Sequence, residues 1–329
     1  MSVDNHPQNP HALSAVQITE MEQSLLENPD DLLTRTHLLT HYLMAAFTSE
    51  EARKAQSRHV LWVIQHHPDS DLAGTSFVQL HHGPRKVVEQ AETLWTQQVA
   101  AFPDNARVWG HAAKFLLYSL HRHTSQTQEW LQTAERLAPT DPEWPQRLGQ
   151  LTDLERRGRE GQERKDAAQR ALHHYERAYA LTADPKRRVF LLGDLAKNAF
   201  YAENFAKANR YATELLNSAL ANKDGDKDWN HGNALHWSHI VLGMVANHQG
   251  DREAAKEQLR EAGETPGSPQ LNSFGPDVEL AKTLLGQGEK QAVLAYFEAC
   301  ARFWVMGKDR LDAWISAIRQ GQIPDFDAV

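Results

Sequence analysis

The sequence predicts an all-α protein built as a solenoid of about seven helix pairs, and three observations carry this prediction. Proline beside aspartate recurs at intervals of 35 to 39 residues, apart from one longer interval. Apolar residues between these prolines return every three or four positions, which is the spacing of one helix face. No segment shows the alternation of a strand. A fixed period of this size indicates stacked supersecondary units. The repeating prolines are Pro29, Pro68, Pro103, Pro139 and Pro185.

Each unit is predicted to be a helix, a tight turn and a second helix. Proline cannot continue a helix, and the acid beside it caps or charges the next helix start. The segments 104–138 and 185–220 each show two apolar stripes separated by a polar break. A lone helix pair cannot bury its stripe, whereas stacked neighbours can. The longer interval contains a charged insert at 155–165, which we interpret as a solvated linker or helix face.

The ends of the array are predicted from the same patterns. A helix near 14–27 opens it, after a flexible tail at 1–13. The solenoid runs over 14–265, and 266–329 forms a loop and a helical cap. The closing helix, around 308–320, should dock on the preceding pair through Trp314, Ile315 and Ile318.

Composition limits the classes of function. The net charge of -8, without a long basic stripe, argues against a nucleic-acid binder. No signal peptide is visible at the start, and no apolar run approaches the ~18 residues of a membrane span. The single cysteine, Cys300, excludes an intrachain disulfide and suits a reducing compartment. We therefore expect a cytoplasmic protein in which Cys300 is a buried thiol without catalytic use.

Several units carry small and apolar residues at the positions of a known repeat. In 236–265, Gly243 lies in the first helix, Gly250 at the turn, and Ala255, Leu259 and Ala262 in the second helix. The 189–216 unit and the segment 165–185 show similar patterns. These residues resemble the tetratricopeptide repeat over roughly 28–265. The resemblance implies a right-handed superhelix whose first helices line a concave groove.

The resemblance also implies where a ligand binds. Peptide-binding members of that family hold a carboxylate through Lys, Arg and Asn in the groove. Lys114 and Lys197 occupy the same place in their first helices and show no internal partner in the sequence. We therefore expect an extended, acidic or carboxy-terminal peptide or protein segment as partner, without a cofactor, and a binding or scaffold function. The expected ligand-binding residues are Lys114, Lys197, Phe200, Tyr201, Trp237, His239, Asn247 and Asn272.

A rival hypothesis is an enzyme or small-molecule receptor. Its pocket would be formed by His236, Trp237, His239 and the loop 267–276. His236 and His239 share a helix face, but zinc requires a third ligand. Common enzyme motifs are missing from the chain. A third hypothesis, an element that builds oligomers, is also open.

Two further segments bear on these hypotheses. The acid-rich segment 224–230 lacks the glycine and the glutamate of a calcium loop, so we expect no metal. The loop 267–276 is either a structural plug, pinned by Leu271 and Phe274, or a ligand loop. A helix is expected to begin at Gly275 and Pro276.

Overall fold

The computed structural model describes residues 13–81, 83–119, 125–222 and 228–326. Within these ranges the chain forms only α-helices and two short 3-10 helices, at Leu72–Gly74 and Ser76–Val78. The all-α prediction is therefore confirmed, while most of the predicted tail 1–13 lies outside the described residues. The α-helices are α1 (Ala15–Glu27), α2 (Leu32–Ala45), α3 (Glu50–His66), α4 (Arg85–Ala101), α5 (Ala106–Ser119), α6 (Ser125–Leu137), α7 (Glu143–Arg156), α8 (Gly161–Leu181), α9 (Pro185–Tyr201), α10 (Phe205–Ala221), α11 (His231–His248), α12 (Arg252–Gly263), α13 (Pro269–Phe274), α14 (Glu279–Gly286), α15 (Lys290–Cys300) and α16 (Lys308–Arg319).

The chain divides into two compact units, Met1–Leu151 and Thr152–Val329, with the boundary inside α7. In the first unit each helix from α1 to α5 packs on the next one along the chain. In the second unit the same holds from α8 to α12, after which α12, α15 and α16 follow in contact. Helix α9 also contacts α11, two elements further on. Sequential packing of this kind agrees with an all-α array of helix pairs.

The repeating prolines fall at helix boundaries, as predicted. Asp31 caps α2 by accepting from the backbone amides of Leu33 and Thr34, both at 3.1 Å. Asp184 caps α9 by accepting from the Lys186 amide at 2.9 Å. A side-chain oxygen at this position satisfies an amide that has no partner inside the helix. Pro68 also lies at a boundary, just after the end of α3, but two 3-10 helices and not an α-helix follow it.

Side chains of α5 hold the segment that contains the two 3-10 helices. His111 Nδ1 donates to the Pro68 carbonyl at 2.9 Å. Lys114 Nζ donates to the Gly74 carbonyl. Ser119 Oγ donates to the Gln79 side-chain oxygen at 2.6 Å. These bonds satisfy polar groups that an irregular segment cannot satisfy by itself.

A partly buried polar network ties α1 to α2 and α3 in the first unit. Glu22 accepts hydrogen bonds from Tyr42 at 2.7 Å, from His59 Nε2 at 3.0 Å and from Arg58 at 2.8 Å. His59 Nδ1 accepts from Arg35 at 2.8 Å, since a guanidinium can only donate. His59 is therefore neutral, with its proton on Nε2. Burial lowers its pKa below 6.5.

Small residues allow the close packing of α11, α12 and α14 in the second unit. A Cβ on Gly243 would lie 2.4 Å from the Leu280 side chain and 3.0 Å from the Gln258 Cβ. Ala208 and Ala255 are fully buried, as the repeat pattern predicted. Gly243 thus has the structural role that its place in the sequence indicated.

The segment after α12 differs from its prediction. No helix begins at Gly275; α13 ends at Phe274 and α14 begins at Glu279. Gly275 has a φ of 86°, which favours glycine. Leu271 is 3% exposed and pins the segment, whereas Phe274 is 82% exposed and does not.

The C-terminal helix agrees with its prediction. Trp314, Ile315 and Ile318 of α16 are buried, and the Trp314 ring lies 5.4 Å from that of Phe297 in α15. None of the helices in the described ranges has the length and apolarity required to cross a membrane.

Candidate functional site

The histidine that anchors the rival hypothesis is part of the packing. His236 is fully buried in α11. Its Nδ1 donates to the Ala262 carbonyl at 2.9 Å, and its Nε2 accepts from the Asp277 amide at 3.0 Å. Burial lowers its pKa below 6.5. Both ring nitrogens are therefore occupied by backbone groups, and neither is available for a metal or a substrate.

Two further residues of the rival pocket, His239 and Asn272, also have internal partners. His239 Nδ1 lies 2.8 Å from the side-chain oxygen of Gln258 in α12. Asn272 Oδ1 accepts from the Val305 and Met306 amides at 3.0 and 3.3 Å. Bonds of this kind make the loop 267–276 a structural connection between α12 and the C-terminal helices.

Metal ligands do not cluster in the part of the chain that the structure describes. No group of three or more His, Cys, Asp or Glu side chains is placed there to hold an ion. The acid-rich segment 224–230 lies mostly outside the described residues. Cys300 is fully buried, and burial raises the pKa of its thiol well above the usual range. The burial of Cys300 was predicted from the sequence, and a protonated, inaccessible thiol is a poor nucleophile.

The second unit contains a cleft of about 430 Å³. This volume lies in the range of about 300–1,000 Å³ that is typical of ligand sites. Helices α8, α9, α10, α11 and α14 supply its walls. Three of the predicted site residues, Phe200, Tyr201 and Asn247, lie in it. The cleft is lined by Gly161, Arg164, Lys165, Phe200, Tyr201, Glu203, Phe205, Met244, Asn247, His248, Glu279, Leu280 and Thr283.

Aromatic rings form much of the cleft wall. The Phe200 ring lies 5.6 Å from that of Tyr201 and 5.5 Å from that of Phe205. Phe205 in turn stacks on His248 with the ring centroids 3.7 Å apart. Ring contacts fix the orientation of these side chains. The cleft therefore offers a preformed apolar surface.

Two arginines from the charged insert meet at Tyr201. The guanidinium carbons of Arg156 and Arg164 lie 4.2 and 4.0 Å from its ring centroid. Burial raises the pKa of the Tyr201 hydroxyl well above the usual range, and the charge of Glu279 adds to the effect. Arg164 also approaches Glu279 at 3.5 Å. The insert was interpreted as a solvated linker or helix face; this is wrong for Arg156, which is 4% exposed.

Polar groups in the cleft keep hydrogen-bonding capacity. The half-buried amide of Asn247 forms no side-chain hydrogen bond with any residue that the structure describes, and the same holds for the Tyr201 hydroxyl. An amide offers both donors and an acceptor. The cleft can therefore bind a group that itself has a donor and an acceptor.

Next to the cleft, Lys197 lies at the wall between α9 and α11. Its Nζ lies 4.7 Å from the centroid of the Trp237 ring. A cation over an indole face is stabilised by the ring quadrupole. Asp153 lies near enough to interact with Lys197 but is itself paired with Arg156 at 2.9 Å. Among the described residues no carboxylate forms an ion pair with Lys197, although Asp153 and Asp194 both lie near enough to interact with it.

One turn before Lys197 on α9 lies Asp194, which is half-buried. Burial and the nearby charge of Asp153 raise its pKa from 3.8 to about 6. Its carboxylate forms no hydrogen bond or ion pair with another side chain in the described ranges. A desolvated carboxylate without a partner is costly. Such a group is a candidate for a functional site.

The second predicted lysine has a different environment. Lys114 belongs to the first unit, and its Nζ donates to the Gly74 carbonyl. Burial lowers its pKa to about 8, and the charge of Arg147 contributes. The expectation that Lys114 lacks an internal partner is therefore wrong. Its equivalence to Lys197 is limited to the position along the helix.

Three charged residues of the second unit were missed by the sequence analysis: Arg156, Arg164 and Asp194. The two arginines stand in a run of alternating Arg and Glu, which is typical of a solvated face. Asp194 shares one face of α9 with Lys197 and Tyr201, and this spacing could have indicated it.

The chain was compared with family models and with curated proteins of known sequence. No family model matches it, and no curated protein is similar to it at a significant level. The function therefore has to be inferred from the geometry of the site.

Proposed function

We propose that the second unit binds an extended peptide or protein segment, with an apolar side chain in the cleft and a peptide group at Asn247. The observation that carries this proposal is the Asn247 side-chain amide, which has no hydrogen-bond partner among the described residues and lies in the cleft beside aromatic rings. Peptide groups have one donor and one acceptor, so they match an amide. The protein would then act as a binding or scaffold protein.

The helical architecture of the chain also supports a binding function. We propose that the helix pairs are tetratricopeptide-like units in a right-handed superhelix of about seven pairs. The contact between the first helices α9 and α11, together with the tight packing at Gly243, fits such units. A cytoplasmic location is proposed from the single buried thiol of Cys300. The enzyme hypothesis is not carried forward, because both ring nitrogens of His236 bond to the backbone.

A selection experiment tests the proposal. A displayed library of random heptapeptides is selected on the immobilised full chain and on the Asn247→Ala variant. The wild-type chain should enrich a family of peptides with an apolar residue. Loss of the amide should reduce affinity for a synthetic member of that family about fivefold, the equivalent of one hydrogen bond.

The matched control is Gln249→Ala, which removes an exposed amide just after the same helix. It should bind the selected peptide as the wild type does. If the wild-type chain enriches nothing above a protein-free surface, or if both variants bind equally well, the proposal is wrong.

A further inference from the structure

We infer that the bound segment presents one basic and one acidic side chain, two residues apart, to Asp194 and Lys197, beside the apolar side chain held in the cleft. This inference rests on the proposed function, because it describes the charges of the same ligand. It differs from the acidic or carboxy-terminal segment that the sequence led us to expect.

Four residues on one face of α9 lead away from the cleft. Phe190, Asp194, Lys197 and Tyr201 are spaced by four, three and four residues, so they share this face. We call it the α9 face. Phe190 stacks on Trp229 with ring centroids 5.6 Å apart, and the two are 45% and 52% exposed. The surface thus has aromatic residues at both ends and two opposite charges between them.

Neither charge in the middle of the α9 face is neutralised by a direct partner. Lys197 contacts the Trp237 ring and forms no ion pair within the described ranges. Asp194 and Lys197 do not pair with each other either, although three residues on a helix allow it. The nearest other acid, Asp153, is paired with Arg156 at 2.9 Å and Arg157 at 3.7 Å. Each charge therefore keeps the capacity to bind an opposite charge.

Asp194 determines the sign of the ligand at its own position. Its pKa is raised to about 6 because the carboxylate is desolvated and repelled by Asp153. An acidic ligand group here would add to this repulsion at neutral pH. A lysine or arginine of the ligand would remove it and gain a partly desolvated ion pair. Charge complementarity of this kind selects partners more than it adds affinity.

The spacing of Asp194 and Lys197 on α9 sets the separation of the two matching charges in the ligand. Side chains three residues apart on a helix have Cβ atoms about 5–6 Å apart. In an extended peptide, side chains on the same side are two residues apart, or about 6.6 Å. The α9 face from Phe190 to Tyr201 is about 16 Å long. A segment of about five extended residues therefore covers it.

The heptapeptide selection, extended to two variants, tests this inference. Peptides selected on the wild-type chain should carry opposite charges two positions apart. Selection on Asp194→Asn should lose the basic position alone, and selection on Lys197→Gln should lose the acidic position alone. For a synthetic consensus peptide, each variant should weaken binding about fivefold, and replacing the matching peptide charge should then have no further effect.

Circular dichroism and thermal melting show whether each variant is folded, and Asp166→Asn, an exposed carboxylate of α8, is the matched control. Enriched peptides without the pair of opposite charges overturn the inference and leave the proposed function standing. The same holds if both variants select the wild-type pattern. No enrichment at all on the wild-type chain overturns the proposed function and the inference together.

Discussion

Replacing Asp194 by asparagine should make the second unit more stable at neutral pH. The carboxylate is half-buried and forms no hydrogen bond or ion pair in the described ranges. Desolvation and repulsion by Asp153 outweigh the attraction of Lys197, Arg157 and Arg156, so its pKa is raised. Asparagine has nearly the same shape and carries no charge. It therefore removes the cost of holding a negative charge at this place. A residue that lowers stability where it stands is typical of a binding or active site.

The size of the effect follows from the raised pKa of Asp194. A change from 3.8 to about 6 corresponds to roughly 3 kcal/mol against the charged form. This value is an upper limit, because solvent screens a side chain that is partly exposed. Asparagine also keeps some cost of burying a polar group. We expect a gain of about 1–2 kcal/mol in the free energy of unfolding at pH 7.

The gain should depend on pH in one direction. Because the folded pKa of Asp194 lies above the unfolded value, the native state binds more protons than the unfolded chain between about pH 4 and 6. The full destabilisation by Asp194 is therefore present above about pH 6, and it decreases as the pH falls toward 4. The difference between variant and wild type should be largest near pH 7 and vanish near pH 4.

Cys300 provides a reporter for the second unit alone. It is the single cysteine of the chain and is fully buried in α15. Its reaction with a pyridyl disulfide, which proceeds in mild acid, can be followed as a function of urea concentration. The curves of wild type and Asp194→Asn would be compared at about pH 7.5 and about pH 4.5. Asp166→Asn, the exposed control, should change the free energy of unfolding by no more than about 0.5 kcal/mol at either pH.

Two results would refute this reasoning. An Asp194→Asn variant that is less stable than wild type at pH 7 would mean that the carboxylate has a stabilising partner. A gain that is the same at both pH values would mean that the pKa of Asp194 is not raised.

Two further predictions concern packing and acidity. Gly243→Ala should lower the free energy of unfolding by about 1–3 kcal/mol through overpacking, since the added Cβ would lie 2.4 Å from the Leu280 side chain; an unchanged urea midpoint in the Cys300 assay would contradict the close approach of α11 and α14. In the first unit, His59 has a lowered pKa, so its contribution to stability is present above about pH 6.5 and is lost as the pH falls below that value. The protection of α1 amides against hydrogen exchange, measured relative to the intrinsic rate at each pH, should therefore be smaller at pH 5 than at neutral pH. This decrease should be smaller in His59→Gln; an equal decrease in both proteins would show that another group is responsible.

Local patterns in the sequence determined the secondary structure of this protein. The three-to-four-residue spacing predicted helices, and the repeating Pro and Asp placed their boundaries because a proline or a capping acid acts within a few residues. The small residues Gly243, Ala208 and Ala255 indicated close packing for the same reason. Where an irregular segment replaced a helix, after Pro68 and around Gly275, the deciding contacts came from other elements, such as His111 bonding the Pro68 carbonyl.

Tertiary structure alone decided which charges have an internal partner among the described residues. Lys114 and Lys197 occupy the same place in their helices, yet Lys114 bonds the Gly74 carbonyl, whereas Lys197 lies over Trp237 and forms no ion pair with any described residue. Arg156 and Arg164, which look solvated in the sequence, meet at Tyr201. Asp194 has no ion pair in the described ranges because the arginines that attract it, Arg156 and Arg157, are already paired with Asp153. The physical reason is common to all of them: burial and charge pairing depend on residues far apart in the chain, whereas periodicity and capping depend on adjacent ones.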